Sequence, residues 1–97
     1  HTKGAHATKI NTAADYVRAY DRIIEDQRFK SFETDSKQFL GIELPAADIF
    51  GRNFQARFKG YDTAGNPTIF GPNTKIIGVF RKNASGTPQL VTLYPDP

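Results

Sequence analysis

From Asn53 to Tyr61 the chain alternates strictly: Phe54, Ala56 and Phe58 fall on one parity, Gln55, Arg57, Lys59 and Tyr61 on the other. A strand turns successive side chains to opposite faces, so this spacing predicts a strand with one face in the core and an outer face of two cations, an amide and an aromatic ring. Such a face suits RNA. It equally suits a half-exposed antiparallel strand that carries charge for solubility and to block edge pairing. Upstream the period changes. Tyr16, Val17, Tyr20, Ile23 and Ile24 recur at three-and-four spacing from Ala13 onward, which gathers them into the stripe of an amphipathic helix. Thr12 and Asp15 resemble a capping box at its start, a hydroxyl accepting from an early N–H and a carboxylate at the positive end of the dipole. Residues 1–11 contain no periodic apolar set and read as an irregular arm.

Between Ser31 and Gly51 the pattern is weaker. Thr34, Asp35 and Ser36 either cap a short helix ending at Gly41, the favoured reading, or lead into a strand. Pro45 suits the first turn of a helix over Ala46 to Phe50, with Gly51 available for a left-handed C-terminal position. Downstream, Asp62 to Pro67, Gly71 to Asn73 and Asn83 to Pro88 are dense in turn formers. They bound a short strand at Thr68 to Phe70, a strand at Lys75 to Lys82 and a last strand at Gln89 to Tyr94. Apolar residues on both parities, Ile76 and Phe80 against Ile77 and Val79, mark the second of these as central. In the last, Val91 and Leu93 are expected in the core, with Leu90, Thr92 and Tyr94 opposite and Pro95 and Pro97 ending the ladder. The predicted class is α+β, with N-terminal helices packed on one face of a four-stranded antiparallel sheet. The open face would carry Arg57, Lys59, Tyr61, Thr92 and Tyr94.

Ninety-seven residues make one domain, and a chain of this size buries only about 60 to 68% of the surface its unfolded form exposes. The absence of cysteine removes disulfides, thiolate metal sites and a thiol nucleophile. With only His1 and His6 as imidazoles and no zinc or calcium motif, no metal site or cofactor is expected. No signal peptide and no apolar run long enough to cross a bilayer is present. The absence of methionine and the start at His1 suggest a fragment of something longer. The net charge is +3, unevenly spread: residues 1–33 hold six Lys/Arg against five Asp/Glu, residues 34–50 one against three, and residues 51–97 six against two. A basic C-terminal half attracts polyanions, whether RNA, DNA, lipid or acidic protein.

Cleaving RNA without a metal requires in-line attack of a 2′-hydroxyl on its neighbouring phosphate, helped by a proton acceptor, a proton donor and groups that hold the phosphorane oxygens. His6 is the one internal imidazole, and its ordinary pKa near 6.5 suits proton transfer at neutral pH. Arg57 and Lys59 are candidates to hold the phosphate, Thr92 to donate to a non-bridging oxygen, and Tyr94 to stack on a base or orient the attacking group. Lys9 reaches the same phosphate if the arm folds back, while Gln55, Tyr61 and Lys82 complete the candidate substrate-binding set.

A histidine ahead of helices, a late antiparallel sheet with a cationic face, and Thr92-Leu93-Tyr94 in the last strand together resemble a known family. They are similar to the small C-terminal ribonuclease toxin domains of bacterial contact-dependent inhibition and other polymorphic toxin systems, many of which share the barnase/EndoU/colicin/RelE fold. The resemblance implies metal-independent RNA cleavage, commonly of tRNA, a cognate immunity protein and, in some members, a translation factor. It implies secretion or cell-surface delivery as part of a larger protein, with action in the cytoplasm of a target bacterium. Carried over, His6 is the acid or base, and Thr92 and Tyr94 the transition-state and substrate-orienting pair. EndoU-type members use a second histidine further along, and none follows His6 here, so Arg57 or Lys59 would have to take its place. Two other classes fit the same pattern: a cystatin-like binding module working through its loops, and an RNA-binding domain without chemistry.

Overall fold

Thr12 closes the N-terminal end of the first helix, its hydroxyl accepting from the Asp15 N–H at 3.2 Å, and the helix runs over Ala13–Ile24 (α1). The computed structural model, which describes residues 7–97, places before it a strand at Ala7–Ile10 (β1) where an irregular arm is expected. After it come α2 (Gln27–Phe32), β2 (Phe39–Pro45), α3 (Ala46–Phe50), a 3₁₀ turn at Phe54–Arg57, β3 (Phe58–Tyr61), β4 (Lys75–Lys82) and β5 (Pro88–Asp96). The class is α+β.

The expected single four-stranded sheet is replaced by two antiparallel sheets, β1 with β3 and β2-β4-β5 in that order. Both turn one face toward the same core, where Ile10 and Phe58 join Ile42, Ile76, Phe80 and Leu93. β1 also lies against β5, and the Thr8 hydroxyl donates to the Pro95 carbonyl. The Pro95 carbonyl thus takes a side-chain donor from β1, and this bond ties the two sheets together.

Helix α1 meets the central strand at Gly78, where a Cβ would come within 3.0 Å of Ile23 Cδ1. That close approach buries Ala19 and Ile23 completely and Tyr20 and Ile24 in part. Burial of a side chain like Ile23 stabilises by about 1.5 to 3 kcal/mol before chain entropy is counted. Tyr16 and Val17, grouped with them by spacing, stay 36% and 55% exposed, so the buried stripe is narrower than the pattern predicts. Asp26 caps α2. Its carboxylate accepts from the Arg28 backbone N–H and from the guanidinium, both at 2.9 Å, and the guanidinium bond is the main reason its pKa is lowered to about 2.

Residues 34–41 do not form the short helix that their cap-like start favours. Asp35 accepts from the Lys37 N–H at 2.9 Å and turns the chain into β2 instead. There Leu40, Ile42 and Leu44 face the helices, and Phe39, Gly41 and Glu43 face outward. Alternation across seven residues that pair with β4 outweighs a local cap. The α3 prediction matches, with Gly51 at φ +79° after its last turn.

β4 is central, as expected. In β5 a bulge intervenes: Val79 pairs with Thr92 but the next residue, Phe80, pairs with Leu90, leaving Val91 as the extra residue. Val91 is therefore 57% exposed instead of buried, and Leu90 packs against the core alongside buried Leu93. The strand also runs through Pro95, which is buried opposite Ile76. Among the described residues no helix is long and apolar enough to cross a membrane.

Candidate functional site

The two-stranded sheet sets a pair of lysines side by side. Lys9 of β1 lies directly opposite Lys59 of β3, and Ala7 opposite Tyr61, all four on the face away from buried Ile10 and Phe58. Gly60 permits this pairing, because a Cβ on it would lie 2.7 Å from the Ala7 carbonyl oxygen and 2.7 Å from Thr8 Cγ2. Like charges directly across an antiparallel pair are destabilising. Four other cations have carboxylate partners: Arg57 with Asp15 at 3.0 Å, Arg28 with Asp26 at 2.9 Å, Lys82 with Asp35 at 3.1 Å and Lys75 with Glu43 at 4.0 Å. Among the described residues neither Lys9 nor Lys59 has one, and residues 1–6 contain no Asp or Glu. Two cross-strand, exposed lysines without a carboxylate partner make this face locally positive, which attracts anions.

A groove of about 590 Å³ borders this pair on the far side of β3. Its second wall is the segment 67–70, brought back by a tight turn in which the Asp62 carboxylate accepts from the Ala64 and Asn66 N–H groups, both at 2.9 Å, and Gly65 takes φ +85°. Pro67 bridges to Tyr61 and the Thr68 N–H donates to the Gly60 carbonyl at 2.9 Å, after which pairing stops. Thr68 to Phe70, expected as a strand, is thus an extended segment without a ladder. Phe58 and Phe70 meet edge to face at 5.4 Å beneath the groove. Gln55, Lys59, Gly60, Tyr61, Thr68 and Ile69 complete its lining. Ile69 is 87% exposed, and the buried Thr68 hydroxyl has no hydrogen-bond partner among the described residues.

Of the candidate residues from sequence, Lys9, Lys59, Tyr61 and Gln55 come together at this pair and groove. Thr92 and Tyr94 lie on β5 and share its outward face, Thr92 exposed and Tyr94 half-buried, opposite Val79 and Ile77. β1, paired with β3 and in contact with β5, links the two groups. His6 and His1 lie outside the described residues.

Two candidates are placed differently from expectation. Arg57 is on the 3₁₀ turn, not on a strand. Its guanidinium donates to both oxygens of Asp15, at 3.0 and 3.2 Å, and lies 5.7 Å over the Phe50 ring, so its charge already joins that turn to α1. Lys82, expected to meet substrate, has the inward parity of β4 and is buried. Its ammonium donates to the Asp35 carbonyl oxygen and carboxylate and sits 4.6 Å over the Phe32 ring. Partial desolvation is the largest influence on the Asp35 carboxyl and raises it. The Lys37 N–H and the Lys82 ammonium together outweigh that and leave it below its ordinary value.

Sequence reasoning does not single out Thr68 and Ile69, because their part in the groove depends on the Asp62 turn folding them against β3. The signal available in sequence is the exposed isoleucine itself, held between two turn-forming stretches. Among the described residues no cluster of three or more His, Asp or Glu is placed to hold a metal ion. Comparison with protein-family models, with curated proteins and with solved structures returned no significant match, so the reading of this site rests on its own geometry.

Proposed function

We propose that this domain is a metal-independent RNA endonuclease acting on tRNA, the toxin portion of an interbacterial competition protein that enters a target cell's cytoplasm and is neutralised by a cognate immunity protein. The observation that carries the reading is the unneutralised Lys9–Lys59 pair, set beside Tyr61 and linked through β1 to the strand bearing Thr92 and Tyr94. In the proposed reaction the 2′-hydroxyl gives its proton to the neutral imidazole of His6 and attacks the adjacent phosphorus. The P–O5′ bond then breaks to leave a 2′,3′-cyclic phosphate and a 5′-hydroxyl end. Lys9 and the Thr92 hydroxyl hold the non-bridging oxygens as negative charge builds on them. Lys59 replaces the second histidine and gives a proton to the departing 5′-oxygen, because Arg57 is engaged by Asp15. Tyr94 orients the attacking ribose.

Total tRNA incubated with the domain in EDTA should yield fragments ending in 2′,3′-cyclic phosphate. His6→Ala and Thr92→Ala should each lower the rate by about 10² or more. No scission, even with a translation factor added, defeats the proposal. The same lysine pair and groove also favour a second reading, RNA binding without chemistry. In that case RNA is retained intact, with an affinity that falls with salt at a slope of about 0.7 per phosphate neutralised. A cystatin-like module would tolerate substitution of His6, Thr92 and Tyr94 alike.

A further inference from the structure

We infer that the groove between β3 and residues 67–70 is a nucleobase subsite adjoining the Lys9–Lys59 phosphate site, so that the domain takes RNA as a single strand with one base turned out of the stack. This rests on the proposed RNA substrate and adds to it where a base is read.

The inference follows from the chemistry of the lining. A nucleobase has two flat apolar faces and an edge of donors and acceptors, and it is joined to an anion. The groove offers the matching parts. Tyr61, 48% exposed, presents a ring for stacking, and Ile69, 87% exposed, is a large apolar side chain on the opposing segment. Aromatic platforms of this kind hold single-stranded bases. Its volume of about 590 Å³ lies within the range of small-molecule sites. Among the described residues Lys59 is its one charged lining residue, and Lys59 is also the cross-strand neighbour of Lys9. Phosphate binding at the lysine pair therefore leaves the attached nucleoside beside an uncharged, aromatic-walled space.

The polar readout comes from two side chains. The Gln55 amide supplies both a donor and an acceptor. Thr68 supplies a hydroxyl whose hydrogen-bonding capacity is unused among the described residues, on a backbone pinned by its N–H to the Gly60 carbonyl. Thr68 lines the groove, so a rotation about χ1 that turned this hydroxyl toward it would supply the missing partner. An extruded base edge is the partner it lacks.

The test titrates the isotope-labelled full chain with each of the four nucleoside 3′-monophosphates and, separately, with inorganic phosphate, following backbone amides by NMR. One nucleotide should bind at least tenfold more tightly than phosphate and shift the amides of Tyr61, Thr68 and Ile69 as well as those of Lys9 and Lys59. Thr68→Val, nearly isosteric, should keep the phosphate response and reduce discrimination among the four bases at least threefold. Tyr61→Leu should weaken all four nucleotides while sparing phosphate. In parallel, sequencing the ends of RNA cleaved by Thr68→Val should show a broadened base preference next to the cut. Equal response to phosphate and all four nucleotides, with shifts confined to the lysines, overturns the subsite, as does an unchanged base preference in Thr68→Val. Should nucleotides seat in the groove while no RNA is cut, the subsite stands and the nuclease reading falls.

Discussion

Lys9→Glu separates stability from function, because the fold and the proposed substrate want opposite charges at that position. In the native chain two ammonium groups face each other across β1 and β3. At a separation of about 6 to 8 Å in water they repel by about 0.5 to 0.7 kcal/mol, and physiological salt roughly halves this. A glutamate there removes the repulsion and adds a cross-strand ion pair with Lys59, which contributes about 0.2 to 1 kcal/mol. The combined gain of about 0.5 to 1.5 kcal/mol should raise the melting temperature by about 2 to 12 °C for a domain of this size. Circular dichroism melts at 20 mM and at 1 M NaCl measure it, and the gain should shrink at high salt. The same variant should bind RNA more weakly, with a salt slope about 0.7 smaller because one phosphate fewer is neutralised. A melting temperature at or below that of the native chain, or unchanged RNA affinity and cleavage, would refute the argument that this pair is kept at a cost for an anion.

Three further outcomes follow from the packing. Gly60→Ala forces a Cβ to within 2.7 Å of the Ala7 carbonyl and of Thr8, so it should cost about 1 to 3 kcal/mol and abolish RNA cleavage although no polar side chain changes, and native-like melting and cleavage would count against the pairing. Because the folded-state pKa of Asp26 is depressed to about 2, its contribution is complete above about pH 4 and lost as pH falls toward 2; the stability gap between the native chain and Asp26→Asn should close over that window, and a gap constant from about pH 5 to 2 would remove the Arg28 pair as its source. Asp35→Ala leaves the buried Lys82 ammonium with one backbone carbonyl and the Phe32 ring, and should destabilise the domain. Lys82→Met keeps the packed stem and should cost less, and denaturant melts giving the reverse order would contradict this account of the pair.

What the amino-acid pattern conveys, and what it hides, divides by range. Elements specified within a few residues are legible: the Thr12 cap and α1, the Ala46–Phe50 helix with Gly51 behind it, and the central strand from Lys75 to Lys82. The Asn53–Tyr61 alternation misleads at its start, where Phe54 opens a 3₁₀ turn that ends at Arg57 and only Phe58 begins the strand. Both are buried, and exposed Ala56 betrays the turn. Two expectations fail for want of distant partners. β1 carries no apolar pattern of its own and is a strand because β3 pairs with it, and the parity of β5 changes at a bulge whose presence depends on β4. For the candidate site, chemistry alone picks out Lys9, Gln55, Lys59 and Tyr61. Arg57 and Lys82 mislead because nothing near them in sequence reveals that Asp15 and Asp35 already answer their charge.

The hydroxyl of Thr8 reaches across 87 positions of chain to Pro95, so the opening strand has no finished berth until the closing one exists. Pairings of such long sequence separation form late and slowly. Until β5 is in place, β1 is held by its pairing with β3, and its seam with the three-stranded sheet stays open. Closing that seam is therefore a late step in assembling the two sheets around one core. Shortening β5 at its far end should loosen β1 even where every residue proposed to touch RNA is kept, as faster amide exchange in β1 would show.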